Sequence, residues 1–309
     1  MKILVLGAGA VGLSVAAKLS RVADVHAVCR KKSAEAIAAR GFSLTGIWGE
    51  GMFRFSAAET VPPDSRFDYI LITSKSQDTD AICRQYAGLI RETETVSLQN
   101  GIGNEEIISR YTNRVIGGMI ITGFEWRGDN AVHVSVEAGP MKLGRFPQGS
   151  DDPAERLAGL IRTAGLNVET SSAIRSELWG KTLYNCALNP LGAVMNVPYG
   201  SLAHPAAWRI IEQIVTEAFA VVAAEGVQLP WKDAGEYLAF LRDVQLPATT
   251  RHHSSMLQDL SRGRRTEIDF INGAVVEKGR MHGIPTPCNT MMVSLIRFRE
   301  SLAAPGVNR

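Results

Sequence analysis

The distribution of apolar and polar positions gives the chain two textures. In the first half, short β-branched or leucine-rich runs alternate with helical patterns, the rhythm of βαβ units on a parallel sheet. Lys2–Leu6 reads as the first strand, about Ala10–Arg21 as a helix, Val25–Cys29 as a second strand and Ser33–Arg40 as the next helix. Phe42–Thr45 and Met52–Phe55 flank Gly46, Gly49 and Gly51 and predict an inserted hairpin, after which Tyr69–Thr73 and Thr95–Leu98 resume buried strands. Val115–Ile121, Ala131–Val136 and Met141–Leu143 complete a mixed sheet, and Asp151, Asp152 and Pro153 open a helix. From about Ser172 strands become scarce. Amphipathic patterns over Ile174–Val194, Trp208–Glu225, Ala234–Leu241, Thr266–His282 and Thr286–Leu302 predict helices. The expectation is an α/β domain over 1–170 and an all-α domain over 171–309.

A length of 309 residues agrees with two domains. Hydrophobic residues at 45% and charged residues at 21% belong to an ordinary globular chain and exclude disorder, collagen and coiled coil. A net charge of +2 falls short of the basic footprint of a nucleic-acid-binding module, so a small ligand is the expected partner. Cys29, Cys83, Cys186 and Cys288 lie far apart with no CxxC, which argues against a disulfide framework or zinc site and suits a reducing cytoplasm. No histidine spacing suggests a metal, although His252 and His253 are neighbours. The apolar run Ile3–Ala17 has the outline of a secretory signal, but Gly7, Gly9 and Gly12 interrupt it and argue for a strand and turn. Ile210–Ala224 carries Glu212, Gln213 and Glu217, and no membrane span is expected.

Candidate chemistry begins at Gly7, Ala8, Gly9, Ala10, Val11 and Gly12, a GxGxxG directly between the first strand and the first helix. The first glycine allows the turn, the second lets backbone approach a pyrophosphate, and the third lets helix and strand pack closely. The helix N-terminus offers free N–H groups to the anion. Where an NAD-preferring site would place an acid to hold the ribose, this chain has Cys29-Arg30-Lys31-Lys32. Three cations suit a 2′-phosphate, with Arg30 the best placed to pair with it, and the expected cofactor is NADPH. Lys75 and Asn100 follow later strands and should lie at the same sheet edge, where ligands of open α/β sheets bind.

In the helical half, Lys181, Asn185 and Asn189 recur every four residues and fall on one helix face amid apolar neighbours. Asparagine is a poor helix former, so two of them in such a helix point to binding. Pro190 is expected to kink or end that helix. A second segment, Ser254–Asp259, leads to Arg262, Arg264, Arg265 and Thr266-Glu267-Ile268-Asp269; by periodicity alone its hydroxyls and acids cap helices, with Thr266 and Asp269 at capping-box spacing.

The motifs LGAGAVG, SK at Lys75, QNGIGN around Asn100, WGKTLYNCALNP, SSMLQD and TEIDFING together resemble the ketopantoate reductase (2-dehydropantoate 2-reductase) family over nearly the whole chain. The resemblance implies a Rossmann-type α/β domain followed by an all-α domain, with the active site in the cleft between them. It implies NADPH-dependent reduction of ketopantoate to (R)-pantoate, toward pantothenate and coenzyme A. By the same resemblance Lys181 is the proton donor, Asn100, Asn185, Asn189 and Ser255 bind substrate, and Glu267 contacts the cofactor or substrate side. A loop around Gly123 and Phe124 should touch the cofactor, with the bulky Phe124 departing from the family's usual small residue. The residue types agree with hydride transfer to a ketone, in which a cation able to release a proton must stand beside the carbonyl oxygen. The rival readings are reduction of another branched 2-oxo acid and an NADPH-binding protein without turnover. The apolar helical half suits a homodimer.

Overall fold

The structure, a computed structural model, describes residues 1–303. The chain divides into two units, one of Met1–Gln99 with Asn104–Glu177 and the other of Asn100–Gly103 with the chain from Leu178 onward. The helical unit therefore begins at Leu178, later in the chain than the expected break, and also takes in Asn100–Gly103.

The first unit opens with β1 (Lys2–Leu6), α1 (Ala10–Leu19), β2 (Asp24–Val28) and α2 (Lys31–Arg40). It continues through β3 (Phe42–Gly46), β4 (Gly51–Phe53), β5 (Ser56–Ala58) and β6 (Tyr69–Ile72) to the short helices α3 (Thr79–Gln85) and α4 (Ala87–Glu92). Then come β7 (Glu94–Ser97), α5 (Asn104–Ile108), β8 (Val115–Met119), β9 (Thr122–Gly128), β10 (Ala131–Glu137), β11 (Met141–Arg145), α6 (Asp152–Thr163) and β12 (Val168–Thr170). The main sheet has eight strands in the order β12-β11-β8-β7-β6-β1-β2-β5. It is parallel except where β11 runs against β8.

Both faces of this sheet are covered, which is why its strands read as continuous apolar runs. Along β1, Ile3 and Val5 face the core shared with Leu13 and Ala16 of α1 and Leu157 and Ile161 of α6. Leu4 and Leu6 face Cys83, Ile90 and Ile108 of α3, α4 and α5. The mixed sheet expected from the sequence is in fact two sheets: β4-β3-β10-β9 form a separate four-stranded one packed on α1. Its outer strand β9 alternates Phe124 and Trp126 with Gly123, Glu125 and Arg127, the period of a half-buried strand.

The second unit is helical: α7 (Ile174–Met195), whose first turn lies in the first unit, α8 (Pro205–Ala224), α9 (Ala234–Phe240), α10 (Leu246–Ala248), α11 (Ser255–Ser261), α12 (Asn272–Met281) and α13 (Pro287–Ala303). A π-helical turn over Leu241–Gln245 joins α9 to α10. No helix of the described residues is long and apolar enough to cross a membrane. Pro190 does not end α7, which continues for more than a turn beyond it. Proline has no N–H for the carbonyl four residues earlier, that of Cys186. Asn272 Nδ2 supplies the missing donor at 3.2 Å. The same amide nitrogen reaches Asn289 Oδ1, and Glu217 of α8 accepts the N–H groups of Cys288 and Asn289 at the start of α13. These buried polar ties locate α12 and α13 against α7 and α8.

Candidate active site

Gly7 leaves β1 with φ +66°, a left-handed turn in which a Cβ would lie 2.3 Å from Ser74 Cβ. At Gly12 a Cβ would stand 2.2 Å from Thr73 Oγ1, so only glycine lets α1 pack this closely on the residue that follows β6. Gly9 differs: nothing lies within 4 Å of its missing Cβ. It caps α1 with no side-chain hydrogen bond, and the first turn of that helix carries no acid. An open approach to an uncapped, positive helix end fits a dinucleotide pyrophosphate.

At the end of β2, Cys29 is buried, and burial pushes its thiol up to about 11. Arg30 caps α2, and Lys31 and Lys32 form its first turn rather than a loop; all three are exposed. Lys32 pairs with Asp129 at 3.1 Å on the surface, leaving Arg30 and Lys31 as the more available cations. The short strand β5 was not anticipated from the sequence. It brings exposed Glu59 near enough to Cys29 to act on its titration. Lys75 begins the single turn after β6.

In the helical unit, Lys181, Asn185 and Asn189 occupy one face of α7. Lys181 Nζ donates to Asn100 Oδ1 at 2.7 Å, and Asn100 Nδ2 donates to buried Glu267 at 3.1 Å. Burial pushes the Lys181 ammonium down to about 8, and the Glu267 carboxylate opposes that fall. The lysine is thereby charged at neutral pH yet close to releasing its proton. The loop carrying Asn100 is stitched in place: Ile102 N–H donates to Phe270 O at 2.8 Å, and Gly101, at φ +83°, would set a Cβ 2.2 Å from that oxygen.

The other expected ligands differ among themselves. Asn185 is 8% exposed, and its side chain has no hydrogen-bond partner among the described residues. Asn189, also buried, has its Oδ1 taken by the Tyr199 hydroxyl. Tyr199 in turn packs edge-on against Tyr184 and tilted on His252. Ser255 is the exposed first residue of α11, whereas buried Ser254 caps that helix by accepting from Leu257 N–H at 3.0 Å.

Three local expectations are corrected. Gly123 and Phe124 lie in β9 rather than in a loop, and Phe124 packs edge-on against Trp48 with ring centroids 5.1 Å apart. Phe124 is half-buried and packs against the core of the first unit. The capping box does not form either: Thr266 Oγ1 accepts from Ile268 N–H, and Asp269 pairs with Arg297. The helix expected from Thr266 begins only at Asn272, because Phe270 O is engaged by Ile102 and the backbone breaks at Ile271. Gln99, Ser74, Ser76, Thr79 and Asn104 form a buried polar cluster in the first unit; the sequence brings in Ser74, Gln99 and Asn104 only within the SK and QNGIGN motifs and assigns none of the five a role. Ser74 and Gln99 stand just past buried strands, whereas Ser76, Thr79 and Asn104 carry no such local signal.

Comparison with known proteins agrees with this architecture. Residues 3–148 match the family model described as ketopantoate reductase PanE/ApbA, and residues 173–300 match its C-terminal counterpart. The 2-dehydropantoate 2-reductase of Pyrococcus horikoshii is 33% identical, with 98% of each chain covered. The crystal structure of a PanE/ApbA family ketopantoate reductase from Ralstonia eutropha superposes with a TM-score of 0.88 at 30% identity, covering 98% of this chain and 99% of that one. The ternary structure of D-mandelate dehydrogenase with NADH and anilino(oxo)acetate superposes with a TM-score of 0.89 at 26% identity over 98% of this chain and 99% of its own. By sequence and by fold, the chain belongs to the ketopantoate reductase family of oxidoreductases.

Proposed function

We propose that this protein reduces ketopantoate to (R)-pantoate with NADPH, with Lys181 as the proton donor. The observation that carries the reading is the Lys181–Asn100–Glu267 chain of hydrogen bonds, with the amide of buried Asn185, which has no partner among the described residues, one helical turn away. The Gly7–Gly12 turn and the α1 N-terminus would hold the pyrophosphate, Arg30 and Lys31 the 2′-phosphate, and Lys75 a further negative group. When bound, the reduced nicotinamide supplies the hydride.

The remaining chemistry belongs to the chain's own side chains. As negative charge grows on the ketone oxygen, the Lys181 ammonium stabilises it and then releases a proton to it. A titration near 8 makes both acts possible at neutral pH. Asn100 accepts one Lys181 N–H and so orients the ammonium, while Glu267 keeps it charged through the same amide. Asn185 orients substrate oxygens without adding charge; Asn189 keeps its amide nitrogen for the same purpose, and Ser255 belongs to the same substrate set. The wider proposal places the enzyme in pantothenate and coenzyme A biosynthesis, as a cytoplasmic homodimer.

A second reading, reduction of a bulkier aromatic 2-oxo acid, is favoured by the fold match to D-mandelate dehydrogenase and by the cluster of Tyr184, Tyr199 and His252 beside Asn189. A panel of 2-oxo acids followed by NADPH absorbance separates the two. Ketopantoate is expected to give the largest kcat/KM. Lys181→Ala should cut turnover by about 10² or more with NADPH affinity nearly unchanged. Normal turnover in that variant removes Lys181 from its role.

A further inference from the structure

The first unit contains a buried polar cluster with no assigned part in the chemistry. Gln99 Nε2 lies 3.1 Å from Ser74 O, 3.3 Å from Ser74 Oγ and 2.7 Å from Thr79 Oγ1. Thr79 Oγ1 is 2.9 Å from Asn104 Oδ1 and 2.8 Å from Ser76 O, and Asn104 Nδ2 donates to Ser76 Oγ at 3.2 Å. All five residues are buried. The circuit closes over the turn after β6 that carries Lys75, the start of α3 at Thr79, the loop after β7 at Gln99, and the start of α5 at Asn104. Five polar side chains in a core cost stability unless they are mutually satisfied, and a satisfied network imposes one geometry. Gln99 Oε1 has no hydrogen bond among the described residues, so the donor half of the amide alone ties the circuit.

Gln99 is peptide-bonded to Asn100, the residue that accepts the Lys181 proton-bearing nitrogen. We infer that Gln99 is a positioning residue: its buried amide, braced by Thr79 and Asn104, fixes both the Lys75 turn and the backbone from which Asn100 reaches Lys181. The inference deepens the proposed function and rests on it for the role of Lys181.

Gln99→Glu keeps the shape of the side chain and removes its donors, setting a carboxylate against the Ser74 carbonyl. Thr79→Val removes the acceptor facing Gln99, and Thr79→Ser retains it. The measurements are kcat/KM for ketopantoate from pH 6 to 9.5 and NADPH affinity by fluorescence titration. Asn100 Oδ1 favours the charged form of Lys181, so losing its placement should move the alkaline fall in activity to lower pH by about half a unit or more. The NADPH Kd should rise about threefold or more in both Gln99→Glu and Thr79→Val, and Thr79→Ser should restore wild-type behaviour in both measurements. Should Gln99→Glu not fold, Thr79→Val against Thr79→Ser carries the same comparison. An alkaline fall at the wild-type pH, with activity lost equally at every pH, overturns the inference; so does an unchanged Kd. If the wild-type protein reduces no 2-oxo acid, the proposed function fails while the Kd comparison still tests the network.

Discussion

Glu267→Gln isolates a single electrostatic contribution at the candidate site. Glutamine keeps an oxygen to accept from Asn100 Nδ2 and the volume of the side chain, and removes only the negative charge. Burial has lowered the Lys181 titration to about 8 against the pull of that charge. An opposite charge nearby shifts a titration by about 1–3 units, and the lower end of that range, about one unit, is the change expected here. The ammonium is the competent form, so wild-type kcat/KM should be level below pH 7 and fall about tenfold per unit above pH 8. Moving that fall down by one unit gives a variant about fivefold slower at pH 8, about twofold slower at pH 7 and nearly normal at pH 6. The assay is initial rates at limiting ketopantoate, with saturating NADPH, across pH 6 to 9.5. A variant slowed equally at every pH, or one whose fall moves to higher pH, would refute the reasoning.

Three further outcomes follow from the same geometry. Glu105 of α5 is buried, its Oε1 makes no hydrogen bond among the described residues, and burial pushes its carboxyl up to about 8, with Glu106 adding to the rise. A raised carboxyl costs nothing below its unfolded value, a growing amount up to the folded value and the full amount above it, so Glu105→Gln should add roughly 3–5 kcal/mol at pH 8.5 and under about 1 kcal/mol at pH 5 in urea unfolding; equal gains at both pH values would contradict it. Arg30→Ala should lower the NADPH over NADH preference by about tenfold or more in paired kcat/KM measurements, the worth of one charge-assisted hydrogen bond, and a retained preference would make Arg30 a solvated surface residue. Gly101→Ala forces a side chain onto Phe270 O at positive φ and should cost about 2 kcal/mol or more in stability together with a loss of kcat from misplacement of Asn100; an unaltered kcat would detach that loop from catalysis.

Much of the architecture was legible because it follows from periodicity. Continuous apolar strands mark a sheet covered on both faces, and the Gly7–Gly12 turn lies where such a sheet opens its first helix. The helical repeat alone places Lys181, Asn185 and Asn189 on one face of α7. Periodicity is silent on what opposes a side chain from a distant segment. It therefore could not show that Asn272 would supply the donor Pro190 lacks, or that Phe270 O would be taken by Ile102 and delay α12. The small sheet was missed for a related reason. β3 pairs in parallel with β10, which lies far along the chain, so local alternation gives the strands but not their partner.

The same distinction bears on how finely a reductase of this kind can be read from its motifs. The types of residue at the candidate site, an ammonium, an amide and a carboxylate, are visible in the sequence. Their usefulness depends on the titration of Lys181, and that is a property of place: burial draws it toward neutrality, Asn100 holds the ammonium at 2.7 Å, and Glu267 limits how far it falls. Asn100 can do this only from a loop whose Gly101 accepts positive φ and whose preceding residue, Gln99, is anchored in a buried network. A lysine in the same helix without that loop would lose its proton at lower pH or reach a different partner. The selectivity of the chemistry thus resides as much in residues that would never meet the substrate as in those that would.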